Sequence, residues 1–359
     1  MFDVIIIGAG PAGTAAAFDL LEHGARVLLL DKAQFPRKKA CAGGITPKAY
    51  NLFKYDISSV IQRSFRRIKI TNKVGESFFI HNGHPLCYMT RREELDSLSL
   101  EKVIQKGARF RVADRILVIR QTESEVRLQT DIGEFSASFL IGADGANSRV
   151  RRLTQPDIFW RQQKGLEADV YVDRPDQYEM EFDFSGIPNG YQWIFPKKDH
   201  LNVGLYAVGN NVRFSTKQLT DYVGKRLGTY PLKAVKGYPV CTGGFAYTPG
   251  HQRLLLAGDA AGMAEKLLGE GVYFALKSGQ LAAGAIAKTM NDQNLNAADT
   301  YKNDLEGIRK DLRIYHYCAS LFYRLPGISL KLLSVPFLHR PFSNGFAKGK
   351  TLSQIFLRN

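Results

Sequence analysis

Cysteine is scarce in this chain. Four occur in 359 residues, at positions 41, 87, 241 and 318. They are widely spaced and form no CxxC pair. Neither a zinc ribbon nor a disulfide framework is expected, and a reducing cytoplasm is the simplest compartment. Long apolar runs are also missing: no stretch approaches the roughly 18–20 residues that span a bilayer. The first residues enter an apolar strand with no basic segment before it, so no secretory leader is expected. Histidine is sparse, and the pair His81 and His84 has neither a helix nor a third ligand nearby, so no metal site is expected. Acid is scarcer than base, 34 Asp and Glu against 49 Lys and Arg, a net charge of +15. That excess favours an anionic partner: nucleotide phosphates, a membrane surface or nucleic acid. No nucleic-acid module appears, so no nucleic-acid partner is expected. Repeats and low-complexity segments are absent too. What remains is 45% hydrophobic residues, enough for a substantial core in two domains or one interrupted α/β unit.

The first 31 residues organise the rest. Val4–Ile7 is an apolar run that reads as a buried parallel strand. Gly8-Ala9-Gly10-Pro11-Ala12-Gly13 follows, then a helical segment, Thr14–His23, closed by Gly24. Arg26–Leu30 is a second strand, and Asp31 stands at its end. Gly8 permits the tight turn, Gly10 lets backbone approach a pyrophosphate, and Gly13 lets helix and strand touch. The helix N-terminus presents unpaired N–H groups to the phosphates. Asp31 is placed to accept a ribose hydroxyl. This is a dinucleotide site, and the stretch alone does not choose between FAD and NAD.

Further along, Lys32–Tyr50 is a basic loop carrying Cys41-Ala42-Gly43-Gly44, where the glycines let backbone lie close to a flat ring. Arg92 begins a helix, expected over 89–107, and is placed to reach a nucleotide. Phe139–Gly142 is an apolar strand running into Asp144, the position at a sheet edge where α/β proteins bind ligands. Glu167–Val240 alternates apolar and polar residues and reads as an antiparallel sheet. Its aromatics, including Tyr191, Trp193, Phe195 and Tyr206, form an ordinary core face or a bed for a long apolar substrate. Arg253–Gly262 is a second strand ending in an acid, Gly258-Asp259. Gly269-Glu270-Gly271 then opens a long helix at Val272. A second acidic strand end suits a larger cofactor with a second arm. Asp259 would bond its ribityl or pyrophosphate part, and the helix start would face the flavin edge that gains negative charge on reduction. The segment Asp311–Asn359 mixes aromatics and leucines with Arg313, Arg324, Lys331, Arg340, Lys348, Lys350 and Arg358. It reads either as a helical cap or as a basic-aromatic surface for anionic lipid.

With these motifs, the chain resembles the FAD-dependent p-hydroxybenzoate-hydroxylase-like superfamily, and most closely its geranylgeranyl reductase branch. Lys39–Ile45, KACAGGI, resembles that branch's Cys-Gly-Gly loop, although Ala42 intervenes. Tyr191–Pro196, YQWIFP, followed by Gly204, resembles its YxWxFP signature. Leu268–Ala275, LGEGVYFA, resembles its GEG helix start.

The resemblance implies an α/β fold. An interrupted Rossmann-like FAD-binding domain would comprise 1–65, 90–160 and 241–290. An antiparallel substrate sheet would comprise 66–89 and 161–240, with a helical region over 291–359. It implies FAD bound by Gly8, Gly10, Ala12, Gly13, Asp31, Lys32, Cys41, Ala42, Gly43, Gly44, Arg92, Asp144, Gly258, Asp259, Gly269, Gly271 and Val272. It implies a polyprenyl lipid on Tyr191, Trp193, Phe195 and Tyr206, with Cys41, Tyr191 and Trp193 at the reacting centre. The expected reaction is hydride transfer from reduced flavin to an alkene, with electrons from NAD(P)H or a reduced carrier. The proton donor is open among Cys41, Tyr191, Tyr206 and a water. A monooxygenase on the same frame, or a lipid-binding flavoprotein without turnover, is the alternative. A cytoplasmic protein, peripheral on the inner face of the membrane through its tail, would suit a lipid substrate.

Overall fold

The strand Phe2–Ile7 lies in the parallel part of a mixed sheet, which is why Val4–Ile7 is apolar on both faces. It pairs with Val27–Asp31 on one side and Gly133–Gly142 on the other. Arg109–Val112 extends the sheet beyond Val27–Asp31, and Leu254–Leu256 pairs with the end of Gly133–Gly142. Antiparallel strands Val126–Thr130 and Ile116–Gln121 continue from the first half of Gly133–Gly142. All the parallel strands therefore deliver their carboxyl ends to one edge, with Gly8, Asp31, Asp144 and Gly258-Asp259 along it. The computed structural model describes residues 2–209, 212–292 and 294–356; Arg358 of the basic tail lies outside them.

Two helices seal the strand ends together. Pro11–Glu22 and Val272–Asn291 meet backbone to backbone, since a Cβ added at Gly279 would lie 2.1 Å from the Ala12 carbonyl oxygen. Ser278 accepts the Gly258 N–H at 2.9 Å, tying the second helix to the second acidic turn.

The second sheet runs, in spatial order, Lys233–Thr242, Arg161–Val170, Leu201–Ala207, Gly190–Pro196, Met180–Asp183, Arg67–Thr71 and Ser77–His81. It departs from the antiparallel expectation at one pair, because Met180–Asp183 runs parallel to Arg67–Thr71. The chain between them crosses the first sheet, so no hairpin constrains their direction. Alternation sorts the two faces. Tyr191, Trp193 and Phe195 share one face with Tyr206, whereas Ile194, Val203 and Leu205 pack on the other beneath Leu219 and Val223. Those last two residues belong to a helix, Thr216–Leu227, inside the region expected to be all strand. A capping box of Ser215 and Gln218 starts it. A small sheet of Gly44–Ile45, Cys87–Thr90 and Ile61–Phe65 joins the two larger ones. It takes up residues 89 and 90, so the helix expected from there begins at Arg92 and ends at Gln105.

The tail folds into helices Glu306–Arg324, Pro326–Ser334, Pro336–Ala347 and Leu352–Phe356. Pro326 and Pro336 open their helices, where a missing N–H costs nothing. No described helix is long and apolar enough to cross a membrane.

Candidate active site

A cavity of about 1580 Å³ runs from the carboxyl edge of the parallel sheet, beneath the aromatic sheet, to the tail helices. Single small-ligand pockets measure roughly 300–1,000 Å³, so this one has room for an extended cofactor and a second ligand. Its first end is polar and its far end apolar, with Ile68, Met180, Phe182, Phe322, Leu333 and Phe346 among the walls.

The sequence-derived site residues converge there. Gly8, Gly10, Ala12, Asp31, Lys32, Cys41, Ala42, Gly43, Gly44, Arg92, Asp144, Gly258, Asp259, Gly269, Gly271 and Val272 all line the cavity, as do Tyr191, Trp193, Phe195 and Tyr206. Gly13 is the exception. An added Cβ there would sit 1.8 Å from the Gly8 carbonyl oxygen, so its part is to let helix and strand touch.

The polar end is built for a dinucleotide. Gly8 has φ +107°, and a Cβ on it would lie 2.3 Å from the Ala143 carbonyl oxygen, so only glycine makes the turn. The helices beginning at Pro11 and Val272 both lack a side-chain cap, leaving first-turn N–H groups facing the cavity. Asp31 pins the loop: one oxygen accepts the Ala9 N–H at 2.8 Å and the other the Ala33 N–H at 2.9 Å. Each oxygen keeps a second lone pair for a ribose hydroxyl. Asp144 accepts the N–H groups of Arg149 and Val150 at 2.6 and 3.0 Å. Asp259 lies against the second helix start, its oxygen 3.3 Å from where a Gly271 Cβ would be. Burial raises its pKa, while Lys39 and Arg92 oppose that rise. Arg92 holds Asp96 through two bonds of 2.9 and 2.8 Å. These residues fit FAD: two uncapped helix starts, a glycine cradle and acids for its hydroxyls surround one elongated space.

Sequence reasoning missed several participants. Arg37 stands over the glycine loop, 3.6 Å from a Cβ added at Gly10, and bridges Asp96 at 3.2 Å. Only the general basicity of the loop pointed to it. Lys48 looked like one more solvated lysine, yet it is 3% exposed and bonds Glu270 at 2.8 Å and the Tyr315 hydroxyl at 3.0 Å. Glu265 gathers the N–H groups of Leu267, Leu268 and Glu270, and burial pushes its carboxyl up to about 7.

The same loop explains the tyrosines. Tyr206 donates to the Lys266 carbonyl at 2.9 Å, Tyr323 to Leu267 at 2.5 Å, and Tyr191 to Leu268 at 2.6 Å. The hydroxyl protons of Tyr191 and Tyr206 are thus committed to backbone, and burial raises both phenol pKa values well above the ordinary. Their place is structural, as walls and as clamps on the Gly269-Glu270-Gly271 turn. Trp193 is fixed in turn by its N–H bond to Asn202 at 2.8 Å. Cys41 also lines this cavity, facing the Arg92 guanidinium, and its thiol donates no hydrogen bond to the described residues.

Residues 1–181 match the family model described as an FAD binding domain. The chain is 30% identical to digeranylgeranylglycerophospholipid reductase 1 of Methanopyrus kandleri, with 92% of each chain covered. It is also 30% identical to a menaquinone reductase of Mycobacterium tuberculosis, over 78% of this chain and 75% of that one. The crystal structure of a geranylgeranyl bacteriochlorophyll reductase-like protein from Thermoplasma acidophilum shares the fold. It has a TM-score of 0.80 and 21% identity, and the match covers 99% of this chain and 94% of that one.

Proposed function

The chain belongs to the FAD-binding oxidoreductases of the geranylgeranyl-reductase and p-hydroxybenzoate-hydroxylase-like superfamily, and on that premise we propose that it hydrogenates carbon–carbon double bonds of a polyprenyl lipid. One observation carries the reading: the cofactor cavity continues into an apolar space lined by the aromatic sheet and the tail helices. Each buried CH₂ contributes roughly 0.8 kcal/mol, so a polyprenyl chain binds readily there and its register is the harder problem.

Bound FAD, once reduced, supplies the hydride. The protein does the rest. Trp193, locked by Asn202, and Phe195 hold the alkene against the flat bed of the sheet. The apolar walls keep water from the reacting carbons. Cys41 carries the proton for the second carbon, since the Tyr191 and Tyr206 hydroxyls are already engaged. The electrons come from NAD(P)H or a reduced iron–sulfur or flavin carrier, which anaerobic flavin bleaching with each donor distinguishes.

The lipid enters from a bilayer. Leu321, Leu332 and Leu338 line the cavity and are also solvent-exposed, so its apolar end opens on the surface. Ile328 and Phe337, the latter 83% exposed, extend that apolar rim, and Arg324, Lys331 and Arg340 stand exposed among them. This arrangement suits a peripheral contact with the anionic inner face of the membrane. Phe337→Asp with Ile328→Asp should abolish pelleting with anionic vesicles; unchanged pelleting removes the membrane reading.

The decisive experiment incubates the FAD-loaded, anaerobically reduced enzyme with lipids bearing geranylgeranyl chains. Flavin reoxidation with a gain of two mass units per double bond is expected. No reaction across a broad lipid panel refutes the proposal. Substrate-stimulated oxygen uptake with a product heavier by one oxygen replaces it with monooxygenation.

A further inference from the structure

Behind Cys41 stands a buried carboxylate that lies outside the cavity lining. Glu167 lies in the strand Arg161–Val170, beside the cavity rather than in its lining, and is only 7% exposed. One of its oxygens accepts the Cys41 backbone N–H at 2.8 Å. The other is buried and has no hydrogen-bond partner among the described residues. A buried carboxylate oxygen without a donor is costly when charged, and a purely structural anchor would need only the first oxygen.

The surroundings are those of a titrating group. Lys197, in the turn after Gly190–Pro196, is 4% exposed, and its Nζ lies 2.9 Å from a Cβ added at Gly43, two residues past Cys41. Asp169 on the same strand and Arg92 on the helix below complete the charges facing Glu167. Tyr238, from the neighbouring strand Lys233–Thr242, faces both Glu167 and Cys41, and its ring packs on Gly165. Lys197, Arg92, Tyr191 and Tyr238 face the Cys41 side chain, and Glu167 holds the same residue by its backbone N–H.

We infer that Glu167 is a positioning residue whose unpaired oxygen, by gaining or losing its proton, decides whether the Cys41 thiol keeps its own. The inference rests on the reductase reading for its purpose. In that reaction the alkene gains a hydride on one carbon and the Cys41 proton on the other, leaving a thiolate. A charged Glu167 beside it disfavours that thiolate and returns Cys41 to the thiol by uptake of a proton from water. A neutral Glu167 tolerates the thiolate. Burial pushes the Glu167 carboxyl up to about 7, so the exchange falls near neutral pH.

The test follows the S–H stretching band of Cys41 by infrared spectroscopy in the FAD-loaded protein. The band is identified as the one lost in Cys41→Ser, and no reagent need reach the thiol. Glu167→Gln keeps an acceptor for the Cys41 N–H and removes the titrating charge. With the variant, the band should disappear at a pH lower than in wild type by about one unit, the shift a nearby like charge produces. Glu167→Asp should restore the wild-type direction. An identical midpoint in wild type and Glu167→Gln, or a band that persists to the highest pH in both, overturns the inference. The measurement needs no lipid. Failure of lipid reduction therefore leaves its result standing, and an unshifted band in an active reductase sinks only this inference.

Discussion

Trp193 and Gly204 face each other across two neighbouring strands, and their fit can be broken from either side. They are directly paired in the register of Gly190–Pro196 with Leu201–Ala207. The indole lies across the glycine: a Cβ at position 204 would sit 2.1 Å from Cζ2 and 2.4 Å from Cη2 of Trp193, and 2.6 Å from the Leu166 carbonyl oxygen. Glycine in a strand interior often marks such a close approach. Gly204→Ala must therefore move the indole. Overpacking a filled core costs roughly 1–3 kcal/mol, and displacing the ring breaks its buried bond to Asn202, worth about 1 kcal/mol. The expected loss is about 2–4 kcal/mol in urea unfolding. Trp160 is the only other tryptophan, so a shift in emission reports the displaced ring. The control is Trp193→Phe, whose smaller ring lacks the atoms that clash. In that background Gly204→Ala should cost about 2 kcal/mol less, the remainder reflecting the Leu166 carbonyl. Equal costs in the two backgrounds would refute the argument that the glycine exists to seat the indole.

Three further outcomes follow from contacts elsewhere. Gly279→Ala places a methyl 2.1 Å from the Ala12 carbonyl oxygen and forces the two cofactor-facing helices apart; roughly tenfold weaker FAD binding is expected, read by fluorescence titration. Lys48→Met leaves the half-buried Glu270 with its Thr46 hydrogen bond but no cation, a loss of about 3 kcal/mol, the low end for a broken buried pair. Hydrogen exchange should rise in Glu306–Arg324, which loses the Tyr315 bond to Lys48. The third outcome concerns pH. Glu167 and Glu265 are held near 7, above the ordinary 4.5, by burial. The unfolded chain ionises first, so stability falls as pH rises from about 4.5 to 7 and levels off above. At 1.36 kcal/mol per unit, each group costs on the order of 3 kcal/mol at the plateau. Glu167→Gln should therefore gain on wild type between pH 5 and pH 8 in denaturant melts, and a pH-independent difference would count against this.

The parts of the site that could be read from the chain are those whose signal is local. A strand, a glycine turn, a helix and an acid occur together within 31 residues. The second acidic strand end at Asp259 announces itself by an apolar run followed by small residues. Convergence of Asp31 and Asp259 follows once their strands are parallel members of one sheet, and both line one cavity. The remainder depends on distant partners. Lys48 and Arg37 sit in a stretch whose composition is that of a solvated loop, and only the tail helix and Asp96 reveal them as interior. Glu167 is polar at a buried strand position, where alternation gives no hint of what it faces. The tail's amphipathic pattern shows that one side is covered, but not that the cover is the apolar end of the cavity. The helix Thr216–Leu227 was legible in principle through its capping box and was hidden by the strong alternation on either side.

The three motifs that mark the family are one contact set here. Tyr191 opens the aromatic strand and donates to the Leu268 carbonyl, so that strand holds the turn from which the helix Val272–Asn291 starts. Tyr206 and Tyr323 take the two preceding carbonyls, and Glu265 takes the N–H groups of the same turn. Lys48, beside the cysteine loop, reaches Glu270 within that turn, and Cys41 is bonded back to the aromatic sheet through Glu167. The cysteine loop, the aromatic strand and the helix start therefore cannot move independently. The proposed reduction of an unactivated alkene requires this. Its cofactor and its substrate must be held at one fixed separation, because the rate depends on placing the reacting atoms about 3–3.5 Å apart. Under the proposed function, a network that couples the aromatic sheet to the first turn of Val272–Asn291 would supply that separation without either ligand having to enforce it.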